Sequence, residues 1–186
     1  MIAASAVADK TVEIGAEVNS GRFCELFEAY QPALRRLVSA YVANPSDRED
    51  LLQDIAAGIW KSLPAFRREA SERTWIYRIA HNIAIRNCSR VRSRSAREMP
   101  VEGSFDRASE GRGAEETLLL DERVRALMGA IRELPVLDRQ MVTLQLEGLS
   151  ASEIEEVTGV SRGAVATRLS RMRQRLAERL QGDREP

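Results

Sequence analysis

The chain has 186 residues, 44% of them hydrophobic, with one histidine, two cysteines and a formal net charge of zero. That length supports one domain or two small ones with real cores. A lone histidine and two cysteines outside any CxxC pair exclude a zinc site and a disulfide framework, and no apolar run reaches the roughly 18 residues of a membrane span.

The N-terminus has no basic stretch ahead of an apolar core, so no signal peptide is expected, and a cytoplasmic protein with reduced thiols is the expectation. The zero net charge hides segregation. Residues 22–98 carry 14 basic and 9 acidic side chains, residues 99–122 carry 2 and 7, and residues 161–181 carry 6 and 1. Two basic blocks around an acidic one predict two anionic contacts and a spacer that avoids them. Arginine outnumbers lysine 26 to 2, and its planar fork suits phosphate and guanine, although a GC-rich genome produces the same bias.

Residues 1–21 are small and mixed, without sustained periodicity, and read as a flexible tail. A helical pattern then runs through Phe23, Leu26, Phe27, Tyr30, Leu34, Leu37, Val38 and Tyr41, with a kink or break expected at Pro32. Asn44-Pro45-Ser46 is a turn signal. In the following DREDLLQDIAAGIWKSLPAF, Ser46 or Asp47 can cap a helix whose core stripe is Leu51, Leu52, Ile55, Ile59 and Leu63. Asp47 and Glu49 suit the positive end of the helix dipole, but Asp54 lies beyond its reach. Gly58 in mid-helix costs about 1 kcal/mol against alanine, with no local reason for it.

The stretch from Arg73 to Arg97, RTWIYRIAHNIAIRNCSRVRSRSAR, predicts a helix with Trp75, Ile76, Ile79, Ala80 and Ile83 on its buried face. Thr74, Tyr77, Arg78 and His81 fall roughly opposite. Beyond Ile85 the stripe gives way to Arg86, Arg90, Arg92, Arg94 and Arg97. Such an element offers guanidinium groups to phosphates and aromatic rings to unpaired bases. From Ser93 to about Ala114 periodicity dissolves, which marks a linker between domains.

Periodicity returns at Leu118, with Val124, Leu127, Met128, Ile131 and Leu134 forming a stripe that Pro135 stops. A helix over about Asp138 to Glu147 ends at Gly148. Ser150-Ala151-Ser152-Glu153 is a capping box opening a short helix. Gly159-Val160 makes a turn, and Ser161 caps a last helix to about Leu180. Val165, Leu169, Met172, Leu176 and Leu180 face inward on that helix; Gly163, Thr167, Ser170, Arg171 and Gln174 face out, flanked by Arg168, Arg173 and Arg175. Short helix, glycine turn and capped basic helix make a helix-turn-helix, in which Arg171 and Gln174 can pair with base edges of a major groove.

With both halves read, the chain resembles the extracytoplasmic-function sigma factors of the sigma-70 family, promoter-specificity subunits of bacterial RNA polymerase. DREDLLQDIAAGIW, RTWIYRIAHNIA, LPVLDRQ and GLSASEIEEVTGVSRGAVATRLSRMRQRL carry the likeness, in the family's order. It implies an all-α fold of two small helical domains, region 2 over residues 22–97 and region 4 over 120–181, joined by a flexible acidic linker at 98–119. It also implies that Asp50, Gln53 and Asp54 grip core RNA polymerase, and that the loop 67–74 captures a flipped base of the −10 element. Arg73, Thr74, Trp75, Tyr77, Arg78, His81 and Asn82 would serve −10 recognition and melting; Arg162, Gly163, Thr167, Arg168, Ser170, Arg171 and Gln174 would read the −35 element.

Ala56, Ala57 and Gly58 stand where the family usually has bulkier residues, and Ala166 where a basic one is common. The implied partners are core RNA polymerase and promoter DNA. With no further domain after Pro186, an anti-sigma factor is the expected regulator. No cofactor and no enzymatic activity are expected. The residues alone also admit a stand-alone helix-turn-helix regulator that binds duplex DNA without polymerase.

Overall fold

The computed structural model describes the backbone of residues 2–95 and 115–182, and the side chains of residues 19–90 and 122–180. Among the described residues there are seven α-helices and no strand: α1 (Ile2–Tyr41), α2 (Pro45–Ser62), α3 (Glu72–Ser95), α4 (Glu115–Glu133), α5 (Val136–Leu146), α6 (Ala151–Thr158) and α7 (Arg162–Gly182). A short 3-10 turn, Leu63–Ala65, closes α2 at Pro64. The segment expected as a tail belongs to α1, which also runs through Pro32 without ending. Most of the expected linker at 98–119 lies outside the described residues, and α4 takes up the chain from Glu115.

Local chemistry explains the element ends. The cap of α2 is Asn44, two residues before Ser46 and three before Asp47, the caps expected: its Oδ1 accepts from the Ser46 amide at 2.8 Å, and Pro45 fills the first helical position. Proline suits that position because its missing N–H would have had no helical partner. At the start of α6 the Ser150–Glu153 capping box forms in full. The α5 terminus is a Schellman turn. The Leu149 amide donates to Leu144 O and the Gly148 amide to Gln145 O, with Gly148 at φ +77°. Only glycine takes that backbone without strain, and Leu149, buried at 1% exposure, pins the turn to the core.

In the N-terminal half, α1, α2 and α3 bury Leu34, Leu37, Leu51, Ile55, Ile59, Ile76 and Ala80 against one another. Gly58 now has its reason. A Cβ there would lie 2.4 Å from Ile83 Cδ1 and 3.3 Å from Ile79 Cγ2, so the glycine lets α2 and α3 approach. In the C-terminal half, Ile131, Met141, Leu144, Ile154, Val165, Leu169 and Met172 form the core of α4–α7. Val124, expected in the α4 stripe, is 48% exposed.

The two halves share one apolar cluster, because α5 and α6 pack on α3 and α4 packs on α1. Arg139 plugs the junction at 6% exposure. Its guanidinium lies 5.4 Å from the centre of the Tyr41 ring, donates to Leu134 O at 3.1 Å and to Arg132 O, and approaches Cys88 Sγ at 3.9 Å. Arg132 donates to Ser39 O across the same junction at 2.8 Å.

Candidate nucleic-acid and polymerase interfaces

Three faces hold the residues singled out by sequence. On α2, Asp50, Gln53 and Asp54 lie together on the exposed side, opposite Leu51, Leu52 and Ile55. Asp54 meets Arg90 of α3 at 4.0 Å, with both side chains more than half exposed, an ion pair that contributes little to stability. Ala57 and Trp60 continue this face, and Trp60 is 40% exposed with its ring against Phe23 of α1.

The second face is the start of α3 and the loop before it. Phe66, from that loop, lays its ring 4.6 Å from the ring of Trp75, and the Arg22 guanidinium sits 5.8 Å from the Phe66 centroid. These rings border a pocket of about 360 Å³, lined by Ala65, Phe66, Arg67, Glu69, Ala70, Trp75 and Arg78. The loop reaches this shape through Arg68 at φ 60°, a left-handed backbone that is uncommon for a side-chain-bearing residue. An aromatic wall with cationic rims can hold a planar π-system beside a phosphate.

The helix face assigned from periodicity needs correction. Thr74 and His81 are fully buried and Tyr77 is 2% exposed, whereas Trp75 is half-buried and borders the pocket. The reason is that the side expected to be free is covered too: Tyr41 of α1 meets His81 and Tyr30 of α1 meets Tyr77, while α5 and α6 also pack on α3. Thr74 Oγ1 pairs with Ser71 Oγ at 2.8 Å, tying the loop to the helix start. His81 Nδ1 pairs with Tyr41 Oη at 2.8 Å, while its Nε2 is buried without a protein partner. Burial pushes the His81 pKa down to about 3, so the ring is neutral at physiological pH. Arg78 is exposed, as expected, and so is Asn82.

Tyr77 and Arg73 turn instead toward the α5–α6 junction. Glu147, the residue just before Gly148, accepts from Arg36 Nε at 2.8 Å, from Arg36 Nη2 at 2.7 Å and from Tyr77 Oη at 3.3 Å. Its backbone oxygen accepts from Arg73. One turn along, Arg78 donates to Glu156 O at 3.0 Å. The Arg36 pKa is raised, chiefly by the hydrogen bond to Glu147; burial, with Glu147 beside it, raises that of Tyr77. Sequence reasoning missed Arg36 and Glu147. No local pattern could have paired residues 111 positions apart.

The third face is the outside of α7, where Arg162, Gly163, Thr167, Arg168, Ser170, Arg171 and Gln174 are all exposed. Val165, Leu169 and Met172 anchor the opposite side. Arg168 donates to Asp138 of α5 at 3.0 Å and Arg162 pairs with Glu155 at 3.5 Å, ties that brace the helix-turn-helix rather than leave those guanidiniums wholly available. Gln174 donates to Glu178 at 2.9 Å. The arginines beyond Arg90 on α3 have side chains outside the described residues. Among the described residues no cluster of histidine, cysteine or carboxylates could hold a metal ion, and no helix is long and apolar enough to cross a membrane.

An aromatic pocket rimmed by arginines and a helix-turn-helix with a small, basic outer face define a helical nucleic-acid-binding protein. Comparison with known proteins narrows the class. Residues 26–95 match the family model of Sigma-70 region 2, and residues 124–176 that of Sigma-70, region 4. The ECF RNA polymerase sigma-E factor of Escherichia coli K12 is 31% identical over 160 residues, covering 82% of this chain and 83% of the relative. The ECF RNA polymerase sigma factor SigM of Mycobacterium tuberculosis H37Rv is 27% identical over 159 residues, covering 85% and 76%.

Two solved structures share the fold at a TM-score of 0.64 and 24% identity. They are CnrH in complex with the cytosolic domain of CnrY, with 90% of this chain and 93% of that one covered, and the sigma factor RpoE in complex with the anti-sigma factor NepR from Bartonella quintana, with 88% and 99% covered. The chain belongs to the extracytoplasmic-function sigma factors of the sigma-70 family.

Proposed function

We propose that this protein directs core RNA polymerase to promoters and helps open them, acting in the cytoplasm and catalysing no bond chemistry itself. The observation that carries the reading is the presence, on one chain, of two nucleic-acid faces of different kinds. The Phe66–Trp75 pocket suits an unpaired base, and the exposed outer side of α7 suits a duplex groove. A duplex-only regulator has use for the second and none for the first, because base faces are hidden in paired DNA.

In this account α7 reads the −35 element through Arg171 and Gln174. The pocket receives a −10 base against Trp75, and α2 grips polymerase through Asp50, Gln53 and Asp54. Relatives named as sigma factors support the reading, and the solved neighbour held by NepR supports an anti-sigma partner here.

The test is complex formation with purified core polymerase. Wild-type chain should co-elute with it on gel filtration. Asp54→Arg should not, while keeping a native circular dichroism spectrum, because Asp54 is exposed and its ion-pair partner Arg90 is 4.0 Å away. Failure of the wild-type chain to bind polymerase, joined to tight promoter binding alone, would instead make it a stand-alone regulator.

A further inference from the structure

Four donors form a row across the region 2 domain: Arg36 of α1, then Tyr77, Arg73 and Arg78 of α3. Each is met by an oxygen of the region 4 domain. The Glu147 carboxylate takes Arg36 and Tyr77, the Glu147 carbonyl takes Arg73, and the Glu156 carbonyl takes Arg78. The carboxylate is forked onto Arg36 in the two-bond geometry that guanidinium also offers a phosphate. It is well seated, since the Glu147 side chain is 7% exposed while Arg36 is 56% exposed. The Schellman turn at Gly148 fixes this aim. The row ends at Arg78, which also rims the base pocket beside Trp75.

We propose that Arg36, Tyr77, Arg73 and Arg78 form a cradle for the phosphate backbone of the strand whose base enters the pocket, and that Glu147 fills it as a phosphate mimic when the two domains are closed. Region 4 and the melted strand then compete for the same donors. The free chain keeps its cradle masked, and separation of the domains exposes it. Exposed ion pairs contribute little to stability, but a carboxylate seated against a forked guanidinium and a phenol leaves charges uncompensated when one partner is removed. Glu147 is therefore the group whose loss should both release the domains and free the cradle. DNA is favoured over an acidic peptide because the row continues directly into a pocket shaped for a planar ring rather than into an apolar groove. The inference rests on the sigma-factor reading and adds to it a residue of α1, Arg36, and an internal competitor.

The experiment uses the full chain without polymerase and a fluorescein-labelled twelve-nucleotide oligothymidylate as probe. Anisotropy reads affinity, and small-angle X-ray scattering reads domain separation. Glu147→Gln should enlarge the radius of gyration and tighten oligonucleotide binding about tenfold, and Glu147→Lys should do so more strongly by repelling Arg36. Adding Arg36→Ala to Glu147→Gln should remove most of the gain and lower the salt slope by about 0.7, as for one lost phosphate contact on a single strand. Polyglutamate should compete poorly with the oligonucleotide.

Opened domains with unchanged affinity would overturn the cradle, and domains that stay closed in both Glu147 variants would overturn the mimic. Equal competition by polyglutamate would reassign the row to an acidic peptide and overturn the DNA assignment. Polymerase binding is read separately by co-elution, so loss of that complex overturns the sigma-factor reading while loss of the affinity gain overturns the cradle.

Discussion

Arg171 stands on the exposed side of α7, one residue before Met172, which is buried at 2% exposure. The anchored helix fixes its backbone, and its side chain lies on the face that would enter the groove. Arg171→Ala should weaken binding to the preferred −35 sequence by about 1–3 kcal/mol and relax preference at one base pair. Affinity measured against a panel of single-base variants checks this; an equal loss on every sequence would make Arg171 a phosphate contact.

The outer face of α7 was readable from periodicity because only one side of that helix is covered. On α3 the same method misplaced Thr74, Tyr77 and His81. Periodicity finds the apolar stripe, and a second, polar-lined contact, here through Tyr77 to Glu147 and His81 to Tyr41, looks identical to a solvated face. Trp75, in contrast, combines a half-buried ring with a pocket wall, a division that no hydropathy pattern encodes.

Between elements, the informative case is the crossing of α2 and α3. Gly58→Ala gains about 1 kcal/mol of helix propensity but drives a methyl to within 2.4 Å of Ile83 Cδ1, and overpacking of this kind costs about 1–3 kcal/mol. The net expectation is destabilisation by about 1 kcal/mol. Ile83→Val deletes the clashing carbon, so it should cost stability in the wild type and recover it in the Gly58→Ala background. Urea midpoints of the four proteins test the coupling. Additive effects would show that the close approach does not decide the residue.

Helix ends were legible wherever the signal is local. The Ser150–Glu153 box and the Gly148 stop both form. The α2 cap moved to Asn44 because Pro45 is better placed as the first helical residue than in the turn before it. Gly58 had no reason until Ile79 and Ile83 were found against it.

At the scale of the whole molecule, the joining of the two halves was invisible in sequence, since its contacts link residues far apart on the chain. Stability is also pH-dependent, through His81, which is buried beside Tyr41 within the N-terminal half. The ring is buried neutral and its pKa lies near 3, below the roughly 6.5 of an unfolded histidine. The unfolded chain therefore binds the extra proton first. The His81 contribution is fully present above about pH 6.5 and is lost as pH falls toward 3, on the order of 2 kcal/mol between pH 7 and 5. His81→Gln, which can keep a hydrogen bond to Tyr41, should flatten that part of the urea-stability profile. An unchanged slope would mean that another group controls it.

The central claim for the whole protein is that it opens promoters by trapping an unpaired base, and the position that tests it is Trp75. Stacking contributes about 1–3 kcal/mol per base, comparable to the few kcal/mol needed to unstack one step. Loss of the ring should therefore tip opening without releasing the protein from DNA. Permanganate reactivity of unpaired thymines, beside a binding assay on the same template, measures both with holoenzyme reconstituted from Trp75→Ala. The expected result is normal occupancy, weak reactivity on duplex promoter, and recovery on a template carrying a pre-melted bubble. Normal opening by the variant, or an equal loss on duplex and bubble templates, would contradict the account.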